Sequence, residues 1–344
     1  MKLLEHKDSI PLWFMRQAGR YHAHYQNLRS LHDFETLCKN PKLATQVTMG
    51  PIEDFDFDAA ILFSDLLFPL EFIGLGLSYL NGPPSLSIKL DSLKKIQHLV
   101  PIGDGSADNF FEFQKQALLQ IEENLKKSYP EVSLLGFVGS PWTLFAYAVE
   151  GGHSGGLVNT KLGLVDGRFR AFCDLMNPIL IRNIQKQIDG KAECICIFDT
   201  AAGEIDINVF EKYILPELFS VIRSVKAVNP KIKIHYYAKF ANLDYLKLID
   251  PELVDIIGID WRIDLSHALS TLGSNFYVQG NLDPSILFWP WEDLKAKVLN
   301  QYLDVKNNKF LDKWIFSLGH GVLPKTPVEN VKKIVPLVKS LKKL

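Results

Sequence analysis

Two arginines stand four residues apart in Trp13-Phe14-Met15-Arg16-Gln17-Ala18-Gly19-Arg20-Tyr21, beside a glycine and at the end of the apolar run Pro11 to Met15. Guanidinium groups keep their charge at every working pH and present forked N–H donors that match a carboxylate. Next to an aromatic, hydrophobic segment, such a pair suits a large apolar ligand carrying several acids. By composition alone, an exposed pair making surface salt bridges accounts for the motif at least as well. What favours the first reading is a set of polar groups at the ends of apolar runs: Ser64-Asp65, Gly139-Ser140, Asp199-Thr200, Asp260-Trp261, Gln279-Gly280-Asn281 and Gly319-His320-Gly321. Each has a plain explanation taken singly. Asp65 can receive loop N–H groups, Thr200 can cap a turn, His320 can be a satisfied loop histidine, and Tyr147 can be a core residue of a helix. As a set converging on one mouth with Arg16 and Arg20, they define a candidate site.

The elements that must position these groups are short, β-rich apolar runs: 59–63, 133–138, 194–198, 232–237, 254–259, 275–278 and 314–318. Most are continuous rather than alternating, as parallel strands buried on both faces require. Helical patterns separate them. Over 107–129, Phe110, Phe113, Ala117, Ile121 and Leu125 recur at three- and four-residue spacing, which is one buried stripe. Ser140-Pro141, Asp283-Pro284 and Thr326-Pro327 read as N-cap plus first-turn proline. Thr326 to Glu329 fits a capping box, and Pro336 predicts a kink or an early stop in the last helix.

Alternating strands and helices in 344 residues predict an α/β fold, a (β/α)8 barrel spanning 1–344 as one domain, with a cleft at the C-terminal ends of its strands. The eighth strand has no clear candidate. The stretch 74–88 reads as an inserted hairpin turned by Gly82-Pro83-Pro84. A doubly wound sheet is the alternative, weakened because no glycine-rich phosphate loop follows an early strand.

Composition narrows the function classes. The chain is 47% hydrophobic and 22% charged with a formal net charge of −1, so bulk attraction to nucleic acid or an anionic membrane is not expected. No apolar run is long enough for a signal peptide or a membrane-spanning helix. Cys38, Cys173, Cys194 and Cys196 show no C-x-x-C spacing, which argues against structural zinc and against a disulfide framework. A reducing, cytoplasmic location is the expectation. His22-Ala23-His24 reads as a solvated or packed pair, because nothing nearby completes a metal site. The strand ends offer one histidine and no cysteine, short of the three protein ligands of a catalytic zinc.

The motifs together resemble the uroporphyrinogen decarboxylase family, nearly end to end. They are 13–21, Phe63-Ser64-Asp65, Gly136-Phe137-Val138-Gly139-Ser140-Pro141-Trp142, Tyr147-Ala148-Val149-Glu150-Gly151-Gly152, Phe198-Asp199-Thr200-Ala201-Ala202-Gly203-Glu204, Gln279-Gly280-Asn281-Leu282-Asp283-Pro284 and Leu318-Gly319-His320-Gly321. The resemblance implies a homodimeric enzyme using neither metal nor organic cofactor. Its substrate would be uroporphyrinogen III, whose four acetate arms it would decarboxylate to give coproporphyrinogen III for haem. It further implies catalytic roles for Asp65, Arg16 and Arg20, substrate contacts from Tyr147, Thr200 and His320, and backbone contacts from Gln17, Ala18 and Gly19. Two departures stand out: His22-Ala23-His24-Tyr25-Gln26 replaces the family's usual Leu-Pro-Glu-Tyr-Arg, and Thr200 stands where serine is common. A zinc-dependent, corrinoid-linked methyltransferase of the related branch is one alternative. It is disfavoured because Gly321-Val322 follows His320 where that branch carries cysteine. A non-catalytic tetrapyrrole-binding protein is the other.

Overall fold

The apolar runs become strands. In the computed structural model, which describes all residues except 6, 7, 81, 82, 104, 105, 153, 154 and 344, the strands are β1 (Ala59–Ile61), β2 (Leu77–Ser78), β3 (Ser85–Leu86), β4 (Ser133–Gly139), β5 (Cys194–Asp199), β6 (Lys233–Ala238), β7 (Ile256–Gly258), β8 (Tyr277–Leu282) and β9 (Trp314–Leu318). β2 and β3 form the inserted antiparallel hairpin; Gly82 of its expected turn lies outside the described residues. The other seven make one parallel sheet whose neighbours follow chain order. That order is what a curled sheet needs, and it is not that of a doubly wound sheet, whose order reverses at a switch point.

Among the described residues the curled sheet has seven strands, one fewer than the eight expected. The two outer strands instead share one extended segment near the N-terminus. The Phe316 N–H donates to the Pro11 carbonyl at 2.8 Å, and the Asp58 N–H donates to the Leu12 carbonyl at 3.0 Å. The Asp58 carboxylate returns the contact by accepting the Leu12 N–H at 2.8 Å. A single-residue bridge between Leu12 and Phe316 is all the ladder that forms there. The apolar run Pro11 to Met15 thus bridges the two edges through single backbone contacts rather than as a strand with its own ladder.

Alternation along the strands divides the core in two. Ala59, Leu135, Cys194, Cys196, Phe198, Tyr237, Ile256 and Ile315 point to the inside of the curl, where they meet Leu3 and Trp13. Ala60, Leu134, Ile195, Ile197, Ile234, Tyr236, Ile257, Val278 and Phe316 belong to the larger layer under the helices. Both faces are dry, hence the continuous rather than alternating hydrophobic pattern. The 3-10 turn Lys2–Leu4 closes the N-terminal end: the Leu3 N–H donates to Ser133 Oγ at 3.0 Å.

Several boundaries moved for identifiable reasons. β8 continues through Gln279, Gly280 and Asn281, because Gln279 donates to Ser317 Oγ at 2.8 Å and Asn281 to the Asp260 carbonyl at 3.0 Å. Buried partners make these polar residues acceptable inside the sheet. The helical stretch 107–129 is two helices, Ala107–Phe110 and Glu112–Ser128, broken where Phe111 turns into the core. Ser140 caps the helix Pro141–Glu150 by accepting the Thr143 N–H at 3.0 Å, and Asp283 likewise caps the 3-10 turn that follows β8.

The capping box at Thr326 does not form. The last helix starts at Val328 without a side-chain cap, Thr326 Oγ1 donates back to the Leu323 carbonyl, and Glu329 pairs with Lys332. Nor does Pro336 stop that helix, which runs to Ser340. Pro336 sits on the exposed face, where water can satisfy the freed carbonyl, while Ile334, Val335 and Val338 keep the opposite face buried.

Candidate active site

The loop between Trp13 and Tyr21 is held by Gln17. Its buried side chain accepts the Phe14 N–H at 3.2 Å and donates to the Ala59 carbonyl of β1 at 2.8 Å, and its own carbonyl accepts the Tyr21 hydroxyl at 2.8 Å. The Gln17 side chain is therefore committed to bracing the loop. Ala18 packs with Tyr25, Leu37 and Val47. Gly19 brings its carbonyl to the His22 N–H at 3.0 Å. The result exposes Arg16 and Arg20. Arg168, Arg170, Arg182, Arg223 and Arg262 all find carboxylates; Arg16 and Arg20 form no ion pair among the described residues. Surface salt bridging, the plainer reading of the motif, is thus not what they do.

Arg16 also adopts φ 60°, an uncommon backbone conformation for a side chain with a Cβ, costing on the order of 1 kcal/mol. The Val322 N–H donates to the neighbouring Met15 carbonyl at 2.9 Å, tying this turn to the loop after β9. That loop approaches closely: a Cβ on Gly321 would lie 2.5 Å from Arg16 Cδ, and one on Gly319 would lie 2.6 Å from the Trp261 backbone nitrogen. Between them, His320 Nδ1 accepts the Gly321 N–H at 2.6 Å, which leaves the ring proton on Nε2. The His320 ring meets Tyr237 edge-on at 6.1 Å, and the Tyr237 hydroxyl donates to the Gly319 carbonyl at 2.8 Å.

Asp65 lies in the loop after β1. Its Oδ1 accepts the Leu67 N–H at 2.7 Å, so the modest loop role is real, but Oδ2 takes no hydrogen bond from any described residue. The residue is partly accessible although its carboxyl is surrounded by protein, as on the floor of a cleft. Burial pushes its pKa up to about 6; the Leu67 N–H, the nearby Tyr79 hydroxyl and the Arg16 guanidinium pull the other way. It remains ionised at neutral pH. Tyr147 is the third member of this group. Burial first and the Asp65 charge second push its hydroxyl up to about 12, with Arg16 opposing. Thr200 follows β5, and its Oγ1 is buried with no hydrogen-bond partner among the described residues.

The structure thus brings Arg16, Asp65 and Tyr147 within electrostatic reach of one another and packs the His320 loop against Arg16. Arg20 is set further round, where the group it acts on is Tyr25. The remaining strand-end residues belong to the frame. Asp199 is fully buried and accepts the Thr143 and Tyr236 hydroxyls at 2.9 Å each. Asp260 accepts the Phe240 and Arg262 N–H groups at 2.9 Å each. His22 is packed rather than solvated, with Nε2 2.6 Å from Asp54 Oδ2. A separate cavity of about 240 Å³ flanks β8, lined by Trp261, Asp264, Asn281, Asp283 and Gln301 among others; of the strand-end set Trp261 and Asn281 border it, but none of the residues expected to act in catalysis or substrate contact does. Two residues escaped the sequence reading. Tyr79, in the hairpin, and Lys239, after β6, both feel this mouth electrostatically, Tyr79 through Asp65 and Lys239 through Arg262 and Arg16. Tyr79 lies in the inserted hairpin, and Lys239 follows the run 232–237 without a recognisable motif, so nothing in the linear pattern singled them out.

A curled parallel sheet with unpaired cations and an available carboxylate at the C-terminal ends of its strands defines an α/β protein of the barrel-like type, its site at that end. Among solved structures, a methyltransferase from Methanosarcina mazei matches with a TM-score of 0.73 at 17% identity, over 98% of this chain and 96% of that one. At that identity the likeness is one of fold. The uroporphyrinogen decarboxylase (URO-D) family model matches residues 4–341. The uroporphyrinogen decarboxylase of Carboxydothermus hydrogenoformans is 34% identical over 99% of this chain and 95% of its own. Those of Thermodesulfovibrio yellowstonii and Geobacter sulfurreducens are each 36% identical over 97% of this chain and 95% of theirs. The chain belongs to the uroporphyrinogen decarboxylase family.

Proposed function

We propose that this chain is a carboxy-lyase that converts the four acetate arms of uroporphyrinogen III to methyl groups, giving coproporphyrinogen III in haem biosynthesis. Asp65 carries the reading: an ionised carboxylate deep in the mouth with one oxygen uncommitted. Breaking the C–C bond to CO2 requires an electron sink. Protonating the pyrrole α-carbon next to the carbon that bears the acetate makes the ring a cation; as CO2 departs, the C–C electron pair flows into the ring and leaves an exocyclic methylene on the substituted carbon. Proton delivery to the exposed methylene carbon and loss of the ring proton restore the pyrrole. The Asp65 oxygen accepts the pyrrole N–H groups and offsets the ring's positive charge, an effect strengthened where water is scarce.

Arg16 and Arg20 bind carboxylate arms through forked, charge-assisted hydrogen bonds. Tyr147, Thr200 and His320 donate to further arms, with Gln17, Ala18 and Gly19 supplying backbone between the arginines. The Thr200 hydroxyl, buried and unpartnered among the described residues, suits that role. In this reading residues 1–344 form a single (β/α)8 barrel in which the Leu12 segment stands for the eighth strand. The protein is a cytoplasmic homodimer, which analytical ultracentrifugation would test. The test of function is anaerobic turnover of chemically reduced uroporphyrinogen III by metal-stripped protein, with products oxidised and counted by carboxyl number. Accumulation of the four-carboxyl product is expected. Substrate binding without CO2 release, or activity only after zinc is added, would contradict the proposal.

A further inference from the structure

Tyr79 stands immediately after β2, and its ring packs against Phe34 with centroids 4.8 Å apart. Its hydroxyl is sealed from solvent and has no hydrogen-bond partner among the described residues. A buried, unpaired phenol is costly and calls for an explanation. Phe34 also packs against Phe63, with centroids 5.7 Å apart. Phe63 stands two residues before Asp65, whose carboxylate has one oxygen taken by Leu67 and the other without a partner among the described residues. A buried donor without a partner, close to a charged acceptor with an open oxygen, suits a charge-assisted hydrogen bond.

We propose that Tyr79 is a positioning residue for Asp65: its hydroxyl donates to the Asp65 carboxylate, aims the uncommitted oxygen into the cleft and favours the ionised form. The proposal rests on the reading of Asp65 as the carboxylate that stabilises the ring cation. The groups that face the pair come from every surrounding element. Arg16 from the N-terminal loop acts on Asp65, as do the Leu67 N–H and Tyr79 itself; Tyr147 and Cys38 are both raised by the Asp65 charge. Tyr79 in turn is raised by burial, then by Asp65, Cys38 and Glu71. Of these, only Arg16 is a cation, and it is exposed to salt and solvent. With the Leu67 N–H, the Tyr79 phenol is a neutral donor that favours the charged form of Asp65 against its burial. A hydrogen bond to the charged form of an acid lowers its pKa, so removing this one raises it.

Selective ¹³C-carboxyl labelling of aspartate gives the direct readout, with the Asp65 signal assigned by its loss in Asp65→Asn. Tyr79→Phe keeps the ring and deletes the hydroxyl. It is expected to move the Asp65 titration midpoint upward by about one pH unit, and the acid limb of kcat/KM with it, with only a small loss of thermal stability at neutral pH. Tyr79→Leu should give the same titration shift together with lost stability, since the contact with Phe34 goes too. An Asp65 midpoint that stays put in Tyr79→Phe would overturn the assignment. The titration needs no substrate, so that failure is distinct from failure of the underlying reading, which full turnover by Asp65→Asn would reveal.

Discussion

Asp65 and Asp199 end neighbouring regions of one sheet, and they are opposites. Asp199, at the end of β5, is fully buried and accepts the Thr143 and Tyr236 hydroxyls. Asp65, past the end of β1, has one backbone N–H and an uncommitted oxygen. The same division runs round the mouth. Asp260, Gln279 and Asn281 spend their polar atoms on loops and neighbouring strands, whereas among the described residues the side chains of Arg16, Arg20 and Thr200 find no such partners. A folded chain leaves polar groups unsatisfied at a cost in stability. Where several such groups face one opening, the missing partners are supplied by what enters it. Polar residue type at a strand end therefore says little about function; how its hydrogen bonds are spent says a great deal.

Removing a frame residue should cost the most stability. Asp199→Ala strands the Thr143 and Tyr236 hydroxyls and leaves a void, so a loss of about 3 kcal/mol is expected in chemical denaturation. A loss under 1 kcal/mol would blur the contrast with Asp65. Next comes the clamp: Arg16→Gln should lower kcat/KM by about 10- to 100-fold through KM, with unfolding free energy changed by no more than about 0.5 kcal/mol, because no ion pair is lost. Isothermal binding and denaturation measured side by side would check both halves.

His235 sharpens the comparison because it is unsatisfied but sealed. Among the described residues neither ring nitrogen has a partner inside the curl of the sheet, and burial pushes its pKa down to about 3. A depressed histidine contributes stability that is present above its unfolded value of about 6.5 and is lost as pH falls toward the folded value. His235→Leu should therefore add about 1 kcal/mol at pH 7, resist acid unfolding between roughly pH 6 and 3, and leave turnover alone. A drop in turnover would mean that unsatisfied groups away from the opening also matter. The smallest effect belongs to Thr200→Val, which removes a buried unpaired hydroxyl at nearly constant shape: a gain of about 0.5–1 kcal/mol and about a tenfold rise in KM. Thr200→Ser should leave KM near that of the parent.

Much of this was legible in the sequence because it depends on local chemistry. Strand runs such as 133–138 and 194–198 are continuous since both faces are dry, and Ser140-Pro141 announces its helix without help from distant residues. What escaped depends on contacts far apart in the chain. The closing segment at Leu12 is recognisable only once Phe316 and Asp58 stand on either side of it. The Thr326 capping box lost to a competing acceptor at Leu323. In the site, Asp65, Tyr147 and Arg16 were indicated by motif and do gather. Gln17 was expected to offer backbone to a ligand, yet its side chain braces the loop, a role visible only when the Ala59 carbonyl is in place. Tyr79 could not be found by pattern at all, because an inserted hairpin brings it to Asp65.

Asp65→Asn tests the division between frame and mouth most directly, by stability and anaerobic turnover measured on one sample. Folding raises the Asp65 pKa from 3.8 to about 6, so its contribution to stability is full below the unfolded value and is lost as pH rises through 6. The account predicts that the variant is more stable than its parent at pH 7.5, that this advantage disappears below about pH 4, and that turnover falls about 100- to 1,000-fold. A variant that is less stable at pH 7.5 yet turns over at the parent's rate would place Asp65 with Asp199 in the frame.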